Sequence, residues 1–427
     1  MQTVAPPLPK ADGLQRILPA EETFYRVRDE ARRLGVTRLA DITGLDRIGL
    51  PIYSTIAPDT SDVISVYNGK GIRRIDAMVG ALMESIERLA ALKTRLPLIV
   101  GSLRELARHH NVLDPLTLTE AMSVDYSEDR TYSWVEGRDI ITATSVLVPA
   151  RLAGYLWSDL EHPSPFVYSN TNGLAAGNCR QEAICHALCE VVERDAWTMA
   201  ELGSHKMPEV RRSIVHGPDK ADGPDDLEML PCLDVDQENP IELYHNVGLH
   251  PVVRDITSEV GIPTIIASVA DEAVPGFPMA HSGLGCHPDA RVALRRALTE
   301  LAQSRCVDIQ GVREDLVSAN APSDGALSMH TRRVPYVHRH SWYLAPSVAR
   351  RKLSDLPSVV NDDIQSDLDH ILARLAACGM KQVIVVDLGP PDATYSVVRV
   401  IVPGIEYWAS DHGRIGMRAT EFWRKYA

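Results

Sequence analysis

The sequence predicts an α+β fold, in which helices are mixed with sheets. Short strand-like segments and long helical segments are interspersed along the whole chain. Segments rich in glycine, proline and asparagine separate them and predict turns and loops. With 427 residues, 45% of them hydrophobic, the chain is long enough to bury a large core and to form more than one subdomain.

The first part of the chain predicts two helices and two pairs of strands. One helix is predicted over 20–35, with acidic residues in its first turn and Gly35 after its last. A longer helix is predicted over 73–94, after a loop at 68–71 with the sequence NGKG. The predicted strands of this part are 48–56, 63–67, 131–136 and 141–148.

The second part continues the alternation of strands and helices. Two glycine-bearing segments, at 169–178 and 281–288, are predicted to be loops, and each opens a helix, over 180–203 and 289–307. The remaining predicted elements are an exposed polar connection at 213–226, strands at 250–256 and 262–270, a loop at 308–335, a helix at 362–378, and strands at 382–387 and 395–402.

Composition excludes several classes of protein. The formal net charge is −13 and no dense basic patch is present, so binding to nucleic acid is not expected. No apolar run reaches the length of about 18 residues that indicates a membrane span, and no secretory signal is visible, so we expect a cytoplasmic protein. Seven scattered cysteines without a CxxC pair argue against a disulfide scaffold or a structural zinc site.

Carboxylates on two of the predicted helices indicate a cation site. Glu84 and Glu87 are three residues apart and therefore lie on one face of the first helix. Glu182, Glu190 and Glu193 project toward one side of the second. Clustered carboxylates are unfavourable unless a cation binds between them, and hard oxygen ligands suit magnesium that also binds phosphates. The sequence therefore predicts a magnesium site.

Arginines near these glutamates extend the prediction to a nucleotide. Arg88, Arg194 and Arg305 could bind phosphate oxygens through forked hydrogen bonds. One Glu-x-x-Glu-Arg sequence alone is usually a solvated helix face, but this chain has two, each on a long helix. The glycine-rich segment before the second lets backbone approach a ligand. A Walker-type GxxxxGKS/T motif is absent, so the site is not a standard P-loop.

Taken together, these motifs resemble the YcaO family of ATP-dependent peptide-modifying enzymes, over about 60–410. The strongest match is SNTNGLAAGNCRQEAICHALCEVVERDA, at 169–196. Further matches are GKGIRRIDAMVGALMESIER at 69–88, ALRRALTELAQSR at 293–305 and VVRVIVPGIEYW at 397–408. The resemblance implies an N-terminal extension with a helix at 1–60, a catalytic core with a nucleotide site between helices at 61–410, and a tail at 411–427.

The resemblance also implies the cofactors ATP and Mg²⁺ and a set of site residues. The implied metal ligands are Glu84, Glu87, Glu182, Glu190 and Glu193. The implied nucleotide contacts are Arg16, Thr23, Glu87, Asn178, Arg194, Gln303 and Arg305. His281 and His287 flank the segment before the third long helix and are the candidates for a catalytic base. One departure is Ala81, which stands where the family has a serine.

The reaction implied by the resemblance is phosphorylation of a peptide backbone amide oxygen after a nucleophile has added to the amide carbon. A neighbouring Cys, Ser or Thr gives an azoline such as a thiazoline, external sulfide gives a thioamide, and a peptide amine gives a macroamidine. We expect a cyclodehydratase that forms azolines in the maturation of ribosomally made peptides (RiPP biosynthesis), with thioamide formation as the close alternative. The expected partners are a precursor peptide, a separate leader-binding or helper protein, and a second copy of the chain.

Two functions of other classes stay open at this point. Pairs of glutamates on helices also suit a carboxylate-bridged di-iron or di-manganese enzyme, although such sites use a Glu-x-x-His sequence that neither helix contains. The third alternative is a non-catalytic accessory protein that binds nucleotide and promotes the modification carried out by another enzyme.

Overall fold

The computed structural model describes residues 8–11, 16–157, 159–167, 169–206, 213–215, 240–274, 277–311, 342–344, 350–411 and 413–426. These residues form three sheets with helices packed against them. The predicted α+β class is therefore confirmed. None of the helices in this described part combines the length and hydrophobicity that a membrane span requires.

The first sheet is antiparallel, has the strand order β1-β2-β3 and carries a helix that bears two of the predicted ligands. Its elements are α1 (Ala20–Leu34), β1 (Arg38–Asp41), β2 (Ile52–Ile56), β3 (Val66–Lys70) and α2 (Arg74–Lys93). Both helices lie where they were predicted, but the predicted loop at 68–71 is wrong. Residues 68–70 continue β3, because they pair with β2 in the register Ile52 to Lys70.

Gly69 explains why this segment contains glycine without forming a turn. A side-chain carbon placed on Gly69 would lie 2.0 Å from the backbone nitrogen of Ala81 and 2.1 Å from the carbonyl oxygen of Ala77. Helix α2 therefore packs directly onto the backbone of β3, at a distance that no side chain permits. This close approach fixes α2, and with it Glu84 and Glu87, against the sheet.

We expect Gly69→Ala to lower the free energy of unfolding by about 2–3 kcal/mol, because the added methyl group must push α2 away from β3. Gly44→Ala is the matched control, since nothing lies within 4 Å of the methyl group that it would add. Urea unfolding of the two variants and the parent measures both effects. Equal stabilities for the two variants would show that α2 and β3 are not in such close contact.

The second sheet has the strand order β4-β5-β13-β14-β7, with β6 paired to β5. Its strands are β4 (Ile99–Ser102), β5 (Thr131–Asp139), β6 (Thr144–Pro149), β7 (Leu174–Gly177), β13 (Ile384–Asp387) and β14 (Ser396–Ile401), and short helices α3 (Leu103–Leu106) and α4 (Ala150–Ala153) accompany them. The strands predicted at 131–136, 141–148, 382–387 and 395–402 are confirmed. The predicted loop at 169–178 is wrong at 174–177, because this segment pairs with β14.

The third sheet has the strand order β11-β10-β9-β8-β12. Its elements are β8 (Ser213–Val215), α6 (Pro240–Asn246), β9 (Val252–Asp255), β10 (Thr264–Val274), β11 (Phe277–Cys286), α7 (Ala290–Gly311) and β12 (Arg350–Arg351). The predicted loop at 281–288 is wrong at 281–286, which pairs with β10. Gly283 has the same role as Gly69, because a side-chain carbon there would lie 2.2 Å from the Leu301 backbone nitrogen on α7.

Three further helices complete the described fold: α8 (Ile364–Ala377), α9 (Trp408–Asp411) and α10 (Met417–Tyr426), in addition to the long helix α5 (Arg180–Lys206). The apolar side of α5 and one side of α8 form a core with β13 and β14. Helix α7 runs to Gly311, so the loop predicted at 308–335 is wrong at 308–311, and 312–335 lie outside the described residues. Of the predicted connection at 213–226, 213–215 form β8, and 216–226 also lie outside them.

Candidate functional site

The two glutamates of α2 reach toward two different sheets. Glu84 Oε2 accepts a hydrogen bond from the backbone N–H of Asn68 on β3, at 3.2 Å. Glu87, one turn later, accepts one from the backbone N–H of Ala176 on β7, also at 3.2 Å. Helix α2 therefore lies between the first and second sheets, and its carboxylates occupy the space between β3 and β7.

The glutamates of α5 face the same space from the other side. Glu190 and Glu193 lie 3.7 and 3.6 Å from the guanidinium of Arg194, which directly follows Glu193 on the helix. Burial raises the pKa of Glu87 well above its ordinary value, and the charge of Glu190 adds to this effect across the two helices. Burial also raises the pKa of Glu193 to about 8, against the charge of Arg194. The structure thus brings four of the five predicted metal ligands into one electrostatically coupled cluster.

These glutamates do not converge on one point: among the described residues, no three Asp, Glu, His or Cys side chains are arranged to hold one ion. Like charges repel, so clustered carboxylates stay spread until a cation offsets their charge. Carboxylate oxygens are nevertheless the donors that Mg²⁺ prefers, and Mg²⁺ commonly takes one or two carboxylates together with substrate phosphates. The donor set fits a metal shared between protein and phosphates better than a closed protein cage.

Basic side chains surround the cluster, and one glutamate of α7 joins it. Lys70 on β3 forms an ion pair with Glu300 on α7, which also accepts the backbone N–H of Leu284 at 3.2 Å. Burial alone would raise the pKa of Glu300, but Lys70 and Arg194 lower it below its ordinary value. Arg88 donates to the Tyr155 hydroxyl at 2.9 Å, and its Nε is buried without a partner in the described part of the chain.

The fifth predicted ligand, Glu182, belongs to a second group at the N-terminal end of α5. Its carboxylate accepts hydrogen bonds from the Asn178 backbone N–H at 3.1 Å, the Asn178 side chain at 3.1 Å, the Ile17 backbone N–H at 3.1 Å and Arg16 at 3.4 Å. Thr23 in turn donates to Asn178 Oδ1 at 3.1 Å. Arg16, Thr23, Asn178 and Glu182 therefore form one hydrogen-bonded unit, in which all but Arg16 are buried. It lies roughly 12 Å along α5 from Glu190, given the helix rise.

A polar cavity adjoins this second group. It is lined by residues of α5, α7 and α8 together with Arg16 and His287. Among the lining residues of the helices are Glu182, His186, Arg296 and Asp367. His287 accepts the backbone N–H of Asp289 through Nδ1 at 2.9 Å, and burial lowers its pKa to about 3, so its imidazole is neutral. His281 Nε2 lies 3.0 Å from Asp308 Oδ2. Within the described residues, no hydrogen bond or ion pair joins either imidazole to the glutamate cluster, and their role as base stays a prediction.

The structure separates Arg305 from the cluster and places Arg296 on the wall of the polar cavity. Arg305 is 4% exposed and donates to Asp46 at 2.8 and 3.2 Å and to Asp271 at 3.2 Å. It follows Glu300 by five residues, which turns it about 140° around the helix, whereas Arg296 precedes Glu300 by four and shares its face. Gln303 also lies near that face, but it has no side-chain hydrogen bond within the described residues.

Sequence analysis missed four residues of this site, and helix spacing could have indicated three of them. Arg296 and Glu300 are four apart on α7, and His186 is four residues from both Glu182 and Glu190 on α5. Lys70 could not be recognised, because its segment was taken for a loop and its partner Glu300 lies far along the chain.

The chain is similar to proteins of a known family. The profile of a family described as YcaO cyclodehydratase, ATP- and Mg²⁺-binding, matches residues 68–406. An uncharacterized protein of Methanothermobacter thermautotrophicus is 34% identical over 409 residues, which cover 95% of this chain and 98% of that protein.

Solved structures show the same fold. The structure of YcaO from Methanopyrus kandleri bound with AMPPCP and Mg²⁺ is similar at 27% identity and a TM-score of 0.68, over 94% of this chain and 95% of that one. A heterocyclase in complex with substrate and cofactor has the same fold at 21% identity and a TM-score of 0.75, over 98% of this chain and 56% of the heterocyclase. The chain therefore belongs to the YcaO family, whose cofactors are ATP and Mg²⁺.

Proposed function

We propose that this protein uses Mg²⁺ and ATP to phosphorylate a backbone amide oxygen of a peptide during the maturation of a ribosomally made product. The observation that carries the proposal is the coupled cluster of Glu84, Glu87, Glu190 and Glu193 between α2 and α5, with Arg88, Arg194 and Lys70 around it. Such a site suits a triphosphate, because its carboxylates would hold the metal while its basic side chains meet phosphate oxygens.

Amide oxygen is a poor leaving group, and phosphorylation would remedy this. A nucleophile adds to the amide carbon, and the resulting oxyanion takes the γ-phosphoryl group of ATP, releasing ADP. Departure of phosphate then completes the replacement of oxygen by the nucleophile. Bound Mg²⁺ would offset charge on the transferring group. In this chain Arg194 and Arg88 would add positive charge beside the phosphates, and the glutamates of the cluster would hold the metal.

The nucleophile decides the product, and azoline formation from a neighbouring Cys, Ser or Thr is our first expectation. The heterocyclase fold supports a peptide substrate, as that protein was solved with its substrate. A separate leader-binding or helper protein is also part of the proposal, because a chain of the microcin synthetase McbBCD complex, solved with pro-MccB17 bound, has a similar fold. Thioamide formation with external sulfide remains the close alternative.

Mass spectrometry of peptides incubated with the protein, ATP and Mg²⁺ tests the proposal. The probe is a library of synthetic peptides that contain Cys, Ser and Thr, with and without added sulfide. Loss of the mass of one water indicates an azoline or a macroamidine, and exchange of one oxygen for sulfur indicates a thioamide. Peptides that stay unmodified under all conditions, alongside intact Mg·ATP binding, would contradict the proposal and favour the accessory function.

A further inference from the structure

His186 occupies a distinctive position on α5 that neither the family motif nor the metal cluster explains. It lies four residues after Glu182 and four before Glu190, so the three side chains follow one another along one face of the helix. Glu182 belongs to the group with Arg16 and Asn178, and Glu190 belongs to the carboxylate cluster. His186 therefore connects the two halves of the candidate site.

The imidazole of His186 lines the polar cavity beside Arg16, Glu182 and Arg296. Burial, together with the charges of Arg16 and Arg296, lowers its pKa well below the ordinary value, so the ring is neutral. Its Nδ1 is buried and has no hydrogen-bond partner in the part of the chain that the structure describes. A buried polar atom left without a partner costs about 1–3 kcal/mol, so a ligand group that supplied the partner would be favoured.

The surroundings identify the chemistry of that group. Arg16 and Arg296 line the cavity with the imidazole, and Lys70 also acts on it electrostatically, so positive charge is available there to an anion that binds beside the carboxylates of Glu182 and Asp367. A neutral imidazole has one N–H donor, and a phosphate oxygen is a strong acceptor. We infer that the ring N–H of His186 donates a hydrogen bond to a phosphate oxygen of the bound nucleotide. This inference rests on the proposed function, because it places the triphosphate along α5 between Glu182 and Glu190.

Two substitutions of nearly equal shape isolate this hydrogen bond. His186→Met removes the N–H donor, whereas His186→Gln keeps an N–H donor on a side chain of similar length. The measurement is isothermal titration of Mg·AMPPCP, with the melting temperature as a check on folding. A lost hydrogen bond to a charged group corresponds to about a tenfold or larger loss of affinity. We therefore expect about tenfold weaker binding for His186→Met and binding within about threefold of the parent for His186→Gln.

His370→Met on α8 serves as the control, because His370 is not part of the site, and we expect its Mg·AMPPCP affinity to match that of the parent. Unchanged affinity in His186→Met would overturn the inference. Equal losses in the Met and Gln variants would also overturn it, because the residue would then act through its shape alone. If the parent protein itself bound no Mg·AMPPCP, the proposed function would fail instead, so the two failures are distinguishable.

Discussion

Glu193→Gln is expected to reduce ATP turnover by about a hundredfold or more. Glutamine keeps the size of the side chain and its oxygen, but it removes the negative charge that would bind the metal. Glu193 is only 8% exposed, and the charges of Glu300 and Glu190 act on it, so its replacement would leave the carboxylate cluster one charged ligand short. The loss should therefore fall on the chemistry and not on the fold.

The same substitution should not lower the melting temperature of the protein without metal. Burial and the like charges of Glu300 and Glu190 disfavour the ionised form of Glu193, so a neutral residue relieves repulsion. Glu22→Gln, at an exposed position of α1, is the control for loss of one charge. The rate of phosphate release from ATP measures turnover for both variants. Turnover at the parental rate in Glu193→Gln would remove this residue from the metal site.

Arg418→Met is expected to lower the free energy of unfolding by about 3–5 kcal/mol, the largest effect on stability that we predict. Arg418 on α10 lies 2.5 Å from Asp195 of α5 and 2.6 Å from Glu259. Asp195 is completely buried and also accepts hydrogen bonds from Ser258 at 3.0 Å and from the Glu406 backbone at 3.1 Å. Without Arg418, a buried carboxylate would lose its positive partner.

Urea unfolding measures this effect, with Arg424→Met as the control. Arg424 lies on the same helix but is exposed, so the same change of residue should cost less than about 0.5 kcal/mol there. Asp195 directly follows Arg194 on α5. The ion pair between Arg418 and Asp195 therefore also fixes the end of the helix face that bears the predicted ligands. A loss below about 1 kcal/mol for Arg418→Met would show that α10 does not anchor α5 in solution.

The ligand-bearing helices could be predicted because their signals are local. The spacing of Glu84 and Glu87, and of Glu190 and Glu193, fixes which helix face they share, and the helix bounds follow from caps and apolar periodicity. The presence of two Glu-x-x-Glu-Arg sequences in one chain then indicated that the glutamate faces of α2 and α5 meet. The structure brings these four glutamates together. The helix face on which each glutamate lies could be predicted because it depends on residue spacing alone and not on distant contacts.

The errors arise where a distant contact decides the structure. Glycine is common both in turns and where two backbones touch, and Gly69 and Gly283 belong to the second class because α2 and α7 pack onto them. Residues 68–70 and 281–286 were therefore predicted as loops although they are strands. Only the packing of the following helix back onto its strand, which the local sequence does not show, distinguishes the two cases.

Arg305 shows that distant contacts also decide the surroundings of a side chain. Its place in a motif implied a phosphate contact, but Asp46 and Asp271, both distant in sequence, bind its guanidinium. Arg296 lines the cavity with Arg16 and Glu182, and its four-residue spacing from Glu300 is a local signal that could have indicated it. A motif identifies which residues matter to a family, whereas charge pairing across the fold decides which partners their side chains have, and the phosphate contact of Arg305 stays a prediction.

A crystal structure of the protein with Mg²⁺ and AMPPCP tests the central claim most directly. We predict Mg²⁺ at about 2.0–2.1 Å from carboxylate oxygens contributed by both α2 and α5, with the remaining positions filled by phosphate oxygens and water. Glu84 or Glu87 would provide the ligand from α2, and Glu190 or Glu193 would provide the ligand from α5. A nucleotide bound elsewhere, or a metal held by phosphates and water alone while these glutamates contact no ion, would contradict it.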